Sequence, residues 1–317
     1  MGEYFASLNF LKLLRNMPGG VSQGLIWGIM ALGIYVTFRL LDVADLTVDG
    51  SFTTGGAVTV MLILAGWPAW AALLVAILAG MLAGLCTGLL HTKFGIPAIL
   101  AGILTQFALY SINLHIMGMA ANKAVSVDKY HLLISSRNIP LAILTSAIVA
   151  IALVSVFYWY FGTEQGSALR ATGNNPAMSR ALGINIDNMK VLGLSISNGV
   201  VALAGGLMSQ YQGFADINAG RGAIVIGLAA VIIGDVIFSK IFRNFALKLL
   251  SVSLGAVIYY IVIQIVLTLG LNSNDLKLLS AVIVAIFLGL PYLQKTIFKT
   301  TPKTVAASIE EGDDNNA

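Results

Sequence analysis

The chain has 317 residues, of which 58% are hydrophobic and only 10% charged, with a formal net charge of +4. Soluble domains carry about 25% charged residues, so a water-soluble globule of this composition could not cover its surface, and the chain reads as an integral membrane protein. The single cysteine, Cys86, excludes an intrachain disulfide, the three scattered histidines have no metal-ligand spacing, and the basic residues form no patch suited to nucleic acid.

Residues 1–18 contain Glu3, Lys12 and Arg15 and lack the short apolar core and small-residue cleavage site of a secretory leader, so they are expected to be an N-terminal segment of the protein itself. A hydrocarbon core of about 30 Å takes roughly 20 apolar residues per helix. Against that length, membrane segments are predicted at 20–41, 53–66, 68–91, 96–114, 139–161, 189–212, 223–238, 246–270 and 277–294. The runs 53–66 and 223–238 are short, and each follows a polar stretch at membrane depth. Irregular backbone persists there only when buried in protein or lining a cavity, which marks both as candidate broken helices beside a pathway.

The two polar stretches echo one another: "ADLTVDG" at Ala44–Gly50 and "ADINAGRG" at Ala215–Gly222. Pseudo-symmetric repeats in transporters place the site at the repeat interface, although chance similarity reads equally well. Ionisable groups at membrane depth are costly and functional by default. Asp45, Thr47, Asp49, Ser51, Asp216 and Asn218 are therefore candidates for a translocation pathway. The plainer alternative is capping, with Asp49 or Ser51 as N-cap of a helix starting at Phe52. Gln106, Tyr110 and Asn113, and likewise Gln210, Tyr211 and Gln212, bring polar and aromatic groups to helix ends where they could face that path, or form interfacial aromatic belts. Asp235 is expected to pair with Lys240 or Arg243. The glycine-rich stretches "AGMLAGLCTG" and "ALAGGL" read as close-packing seams between helices.

Loop 162–188 is the longest internal polar stretch. It carries Arg170 and Arg180, with Lys190 just beyond. Together with Lys240/Arg243 and with Lys295, Lys299 and Lys303 of the tail 295–317, it marks the cytoplasmic side. Alternation then puts loop 115–138 outside, although it holds Lys123, Lys129 and Arg137 against Asp128. Nine crossings put the N-terminus outside. A further crossing from 35–52 would make ten, with both ends inside. The acidic end of the tail has the composition of a disordered segment.

Within loop 162–188 lies "GNNPAMSRALGIN", Gly173–Asn185. Asn175 suits an N-cap, Pro176 the first helical position and Gly183 the C′ position. This predicts a helix over Pro176–Leu182 offering Ala177, Met178, Ala181 and Leu182 as a small apolar face. So short a helix is unstable alone in water and needs its own membrane domain or a second protein to pack on. An ordinary connector is the alternative.

The stretch Ala168–Leu207 resembles the cytoplasmic loop and following helix of ABC importer permeases of the branched-chain amino acid/ribose permease superfamily. Arg170, Ala171, Gly173, Asn175, Ala181, Gly183, Ile184 and Asn185 carry the likeness. "LDVADLTVDGSF" (Leu41–Phe52) is similar to that family's N-terminal signature and "GLAAVIIGD" (Gly227–Asp235) to its late glycine-rich segment, with Asp235 standing where glycine often continues. The form of the first signature most resembles the tryptophan/tyrosine-type subgroup. The resemblance implies an all-α polytopic membrane protein with 9–10 transmembrane segments over 19–294, favouring ten, in a bacterial plasma membrane. It implies that Pro176–Leu182 is a coupling helix for a cytoplasmic ABC ATPase, with Arg170, Gly173, Asn175, Pro176, Met178, Arg180, Ala181, Leu182 and Gly183 at or beside the docking surface. It further implies a second permease copy and an extracytoplasmic solute-binding protein delivering near loops 115–138 and 213–222.

No G-x-x-x-x-G-K-[ST] occurs in the chain, so ATP and Mg are expected through the partner ATPase, with no cofactor held here and no catalytic residues. The main rival is an ion-driven secondary transporter, which needs ionisable groups within helices. The runs 68–91, 139–161 and 246–270 have almost none, with Lys248 at one end. The solute is expected to be an amino acid, aromatic by resemblance, with a sugar or nucleoside as alternatives.

Overall fold

A computed structural model of the chain describes residues 10–238, 242, 244–268, 278, 280–286 and 289. Helix α1 (Phe10–Tyr35) runs into a π-helical turn at Val36–Leu40, and a link at 41–46 leads to α2 (Thr47–Leu64). Helices α3 (Ala69–Thr92) and α4 (Ala98–Ile116) precede the short strand β1 (Asn122–Ala124). Helix α5 (Ile139–Gly162) is followed by two polar helices, α6 (Glu164–Asn174) and α7 (Pro176–Ala181), and then by α8 (Ile186–Gln212). Strand β2 (Phe214–Asp216), α9 (Ala223–Phe238) and α10 (Phe245–Thr268) complete the described order. Seven of these helices are long and apolar enough to cross a membrane, and α9, with 16 residues, is shorter. The last apolar run is described only at 278, 280–286 and 289. The segment before residue 10 and the tail 295–317 lie outside the described residues.

The stretch 35–52 does not form an additional crossing. It is the end of α1, a turn, and the start of α2. The Leu41 amide donates to Val36 O (3.1 Å) and the Val43 amide to Thr37 O (3.0 Å), while Asp42 takes φ +54°. These tight bonds turn the chain back into the fold instead of across it. Helix α1 runs antiparallel to α10: Gly20 faces Gln264, Gly24 faces Val257 and Gly28 faces Ser253. Phe245, at the other end of α10, lies under Arg170 and against Phe161. The start of α1 therefore lies on the face opposite α7, and the expectation that 35–52 adds a tenth crossing is corrected.

Helix α8 is the centre of the bundle and packs against α1, α2 and α3. Without a hydrophobic force between helices in lipid, close approach through small residues holds them. Gly80, Gly84 and Gly88, one turn apart on α3, meet Asn198/Ala202, Leu194/Ser195 and Val191 of α8. On the other side Gly55 of α2 rests on the Ala202 backbone, and Gly205 of α8 on the Phe52 backbone. These are the expected glycine seams, and both converge on α8. By contrast, α4 and α5 are mostly uncovered by their own chain, at 28% and 22% buried.

On the face opposite α7, β1 pairs antiparallel with β2, Asn122 opposite Asp216. The long loop 115–138 is thereby tied to the short segment 213–222. Further bonds run from the Val125 amide to Gly213 O (2.8 Å), from the Leu133 amide to Gln210 Oε1 (3.0 Å) and from the Ser136 amide to Tyr211 O (3.0 Å). Arg137 and Asp128 form an ion pair, which offsets one of the positive charges that spoke against placing this loop outside.

Candidate functional site

Three regions carry the polar chemistry. The first is the α7 loop. Asn175 Oδ1 accepts from the Met178 amide (3.0 Å), Pro176 occupies the first turn, and Gly183 has φ +82°. The Gly183 amide donates to Arg180 O and the Ile184 amide to Ser179 O, both at 3.0 Å, which is the paired C-terminal closure that a left-handed glycine permits. The helix ends one residue earlier than expected, with Leu182 as C-cap. Among the described elements it packs chiefly on its chain neighbours α6 and α8. Met178 and Leu182 are 60% and 66% exposed, and Ala177, Arg180 and Ala181 are exposed beside them.

Arg170 and Gly173 lie elsewhere. The Arg170 guanidinium sits 5.3 Å over the Phe245 ring. Gly173 abuts the Leu40 backbone so closely that a Cβ would collide. Both fasten α6 to the bundle and sit away from the exposed α7 face.

The second region is a buried polar knot where the link 41–46 enters α2. Asp45, 3% exposed, accepts from the Thr47 amide (2.9 Å) and from Asn198 Nδ2 (2.6 Å). Asn198 also donates to Leu194 O (2.9 Å), and its Oδ1 accepts from Ser51 Oγ (2.6 Å). Thr47 Oγ1 meets Thr87 Oγ1 of α3 (2.7 Å), which donates to Thr105 Oγ1 of α4 (2.9 Å). Buried polar groups persist when they find such partners, and here one knot ties four helices. Asn198 lies twelve residues beyond Ile186, the first residue of α8, which is about 18 Å along the axis. Helix α2 therefore begins deep in the bundle.

The third region is the meeting of the two echo segments. Asp49, in the first turn of α2, accepts from the Gly222 amide through Oδ2 and from the Ile224 amide through Oδ1, both at 2.9 Å. The Gly220 amide donates to Thr53 Oγ1 (3.1 Å). A carboxylate at a helix N-terminus is favoured by the free amides and by the helix dipole. Asp49 thus caps α9, a helix remote in sequence. Neither it nor Ser51 is the N-cap of α2, which starts at Thr47 with the Asp45 carboxylate on its first amide. The N-termini of α2 and α9 meet inside the bundle, as in transporters with discontinuous helices.

Beside this junction is a cavity of about 350 Å³. Asp49, Gly50 and Thr53 of α2 line one side. Gln106, Phe107, Tyr110 and Asn113 of α4 line another, and Ile217 and Arg221 close the third. The Arg221 guanidinium lies 5.8 Å over the Tyr110 ring.

Of the six residues expected on a pathway, only Asp49 reaches the cavity. Asp45, Thr47 and Ser51 are consumed in the polar knot. Asp216 lies in β2 and accepts from the Asn218 amide (2.6 Å) in a surface turn. Gln210 and Tyr211 are buried under loop 115–138, at 1% and 5% exposed, because their polar and backbone groups hold that loop down. Asp235 pairs with Arg39 (3.6 Å), and the expected partners Lys240 and Arg243 lie outside the described residues. Thr87, Thr105, Asn198 and Arg221 were not singled out by sequence. A polar residue in mid-helix, as in "SISNGV", was the available signal for Asn198.

Residues 16–290 match the family described as branched-chain amino acid transport system / permease component. The chain belongs to this permease family. Over 285 residues, covering 90% of this chain and 94% of the relative, the permease is 40% identical to the tyrosine transport system permease protein of Clostridioides difficile strain R20291. It is 36% identical over 273 residues to an uncharacterized protein of Rickettsia prowazekii, covering 85% of this chain and 95% of that one. It is 30% identical over 238 residues to the autoinducer 2 import system permease protein of Yersinia pseudotuberculosis serotype O:1b, covering 74% and 64% respectively. The permease is accordingly a multi-pass subunit of an ABC-type transport system in the bacterial cell membrane.

Proposed function

We propose that this permease imports an aromatic amino acid, tyrosine or a close analogue, with ATP and Mg handled by a separate ABC ATPase that docks on α7. The carrying observation is α7 itself. It is capped at both ends by its own sequence, yet its apolar side chains Met178 and Leu182 are uncovered. A six-residue helix is not self-sustaining in water, and α7 leans on its chain neighbours only through one side, so the caps hold ready the other side as a knob for a protein partner. The amino-acid class rests on the tyrosine-transport relative. The 30% relative named for autoinducer 2 import keeps a solute other than an amino acid, such as a sugar or nucleoside, as the second reading.

A route for the stroke runs from α7 through one backbone contact and one side-chain contact. Gly173 at the end of α6 abuts Leu40, and Leu41 packs on Gly193 of α8. Five residues after Leu40 the chain reaches Asp45 and the polar knot. Close-packed backbones transmit displacement with little slack, so tilting of α6–α7 reaches the start of α2 through the 41–46 link. On the opposite face, the stitched loops 115–138 and 213–222 offer a platform for a solute-binding protein. The uncovered faces of α4 and α5 are available for a second permease copy and for lipid.

Reconstitution decides the matter. Proteoliposomes containing the permease, its ATPase and its binding protein should accumulate tyrosine only with ATP on the ATPase side. Uptake by the permease alone under a proton or sodium gradient would instead establish the secondary-transporter alternative.

A further inference from the structure

We propose that the cavity beside the α2/α9 junction is a transient binding site for a free zwitterionic α-amino acid with an aromatic side chain, recognised by Arg221, Asp49 and Asn113. This deepens the importer reading and rests on it for the class of solute.

Three observations converge. First, the cavity presents both signs of charge. Among the described residues Arg221 has no carboxylate partner, so its guanidinium donors remain free for a carboxylate, which they fit in a planar, two-point manner. Asp49 accepts from the backbone amides of Gly222 and Ile224, with the Ala223 amide beside them, and a carboxylate with about four acceptor sites retains capacity for an ammonium group. Second, Asn113 is 1% exposed and lines the cavity, yet neither its Oδ1 nor its Nδ2 has a hydrogen-bond partner. An unmet buried amide is costly, and a donor and an acceptor side by side suit a phenol hydroxyl or one end of the head group. Third, Phe107, 72% exposed, offers its ring, and Tyr110 its edge and the face that Arg221 does not cover, and aromatic rings prefer offset or edge contacts with another ring.

The volume decides the size class. About 350 Å³ is at the small end of ligand pockets, which run from about 300 to 1,000 Å³. One amino acid fits within it. The ligand carboxylate and ammonium would each meet a group of opposite charge, the exposed Arg221 and the half-buried Asp49. A neutral sugar would make neither charge-assisted contact.

The test is thiol protection. The permease–ATPase complex carrying Cys86→Ala and Phe107→Cys is placed in phosphatidylglycerol nanodiscs, which lack a zwitterionic lipid headgroup, and the rate of maleimide labelling is measured. L-phenylalanine at twice its dissociation constant should slow labelling about threefold. Phenethylamine, lacking the carboxylate, and 3-phenylpropionate, lacking the ammonium, should not protect at that concentration. Adding Arg221→Gln should abolish the protection. Tyr110→Cys on the same background provides a second reporter if Phe107→Cys does not assemble. Equal labelling with and without L-phenylalanine at both reporters, in a complex whose unsubstituted form imports tyrosine, overturns the site while leaving the importer reading intact. Protection by ribose or a nucleoside but by no amino acid overturns the site's ligand class and, with absent tyrosine uptake, the importer reading as well.

Discussion

The α7 loop and the α2/α9 junction are both polar, glycine-containing interruptions of an apolar chain, but they are held in opposite ways. Every bond that shapes α7 lies within ten residues: Asn175 to Met178 at one end, Gly183 and Ile184 to Arg180 and Ser179 at the other. The bonds that fasten the junction and the knot beside it to the rest of the bundle span the chain: Asp49 to Gly222 and Ile224, Ser51 to Asn198, and Asn198 to Asp45. A locally capped element can stand exposed and change partners. An element held by distant groups deep in the bundle exists only when the whole fold is assembled. The first arrangement suits a docking surface, and the second suits a pathway wall.

Substitutions should separate the two regions by what they damage. The largest effect is expected from Asn198→Leu. It strands the Asp45 carboxyl and the Ser51 hydroxyl, each at about 1–3 kcal/mol, so yield of folded permease and midpoint of thermal unfolding in detergent should both drop sharply. A cycle with Ser51→Ala should show a coupling of about 0.5–3 kcal/mol, and strict additivity would contradict the shared network. Next comes Gly55→Val, which drives a side chain into the Ala202 backbone and overpacks the α2/α8 seam by about 1–3 kcal/mol. The same measurement applies, with Gly66→Val as a contrast for fit because its Cβ position is open, leaving only the cost of its φ +90°.

Asp49→Asn should cost less, about 0.3–2 kcal/mol, through loss of a charge at the α9 N-terminus. Hydrogen exchange at Gly222 and Ile224 should accelerate while that of α7 stays unchanged. The smallest effect on stability is expected from Asn175→Ala. It removes a cap that contributes about 1 kcal/mol locally, in a helix the bundle does not lean on. Its unfolding midpoint should match the parent within error, whereas ATPase stimulation by the loaded binding protein should fall.

This contrast also explains what could be read from the sequence. The caps of α7 were legible because Asn, Pro and Gly act on neighbours at fixed spacing, and the apolar runs were legible because each crossing buries its own length. The seams were legible in outline as glycine spacing, although their common partner α8 was not. The end of α1 was misjudged because a π-helical turn and the bonds Leu41–Val36 and Val43–Thr37 leave no compositional mark. The likeness of Ala44–Gly50 to Ala215–Gly222 pointed to a shared place, and the two segments do touch. Which of their residues would cap, knot or line the cavity depends on Asn198, Thr87 and Thr105 on other helices, and no local pattern in the echo segments names those partners. Asp216 and Asn218 matched by position in the repeat but form a surface turn, because β2 holds them outside the junction.

The claim that α7 is where the partner ATPase docks is tested most directly by Ala181→Glu in the reconstituted complex. Ala181 is exposed, so a glutamate there should leave membrane insertion and the unfolding midpoint unchanged. The account expects loss of ATPase copurification, or of ATPase stimulation by the loaded binding protein, together with loss of tyrosine uptake. Full stimulation and normal uptake by this variant would contradict it.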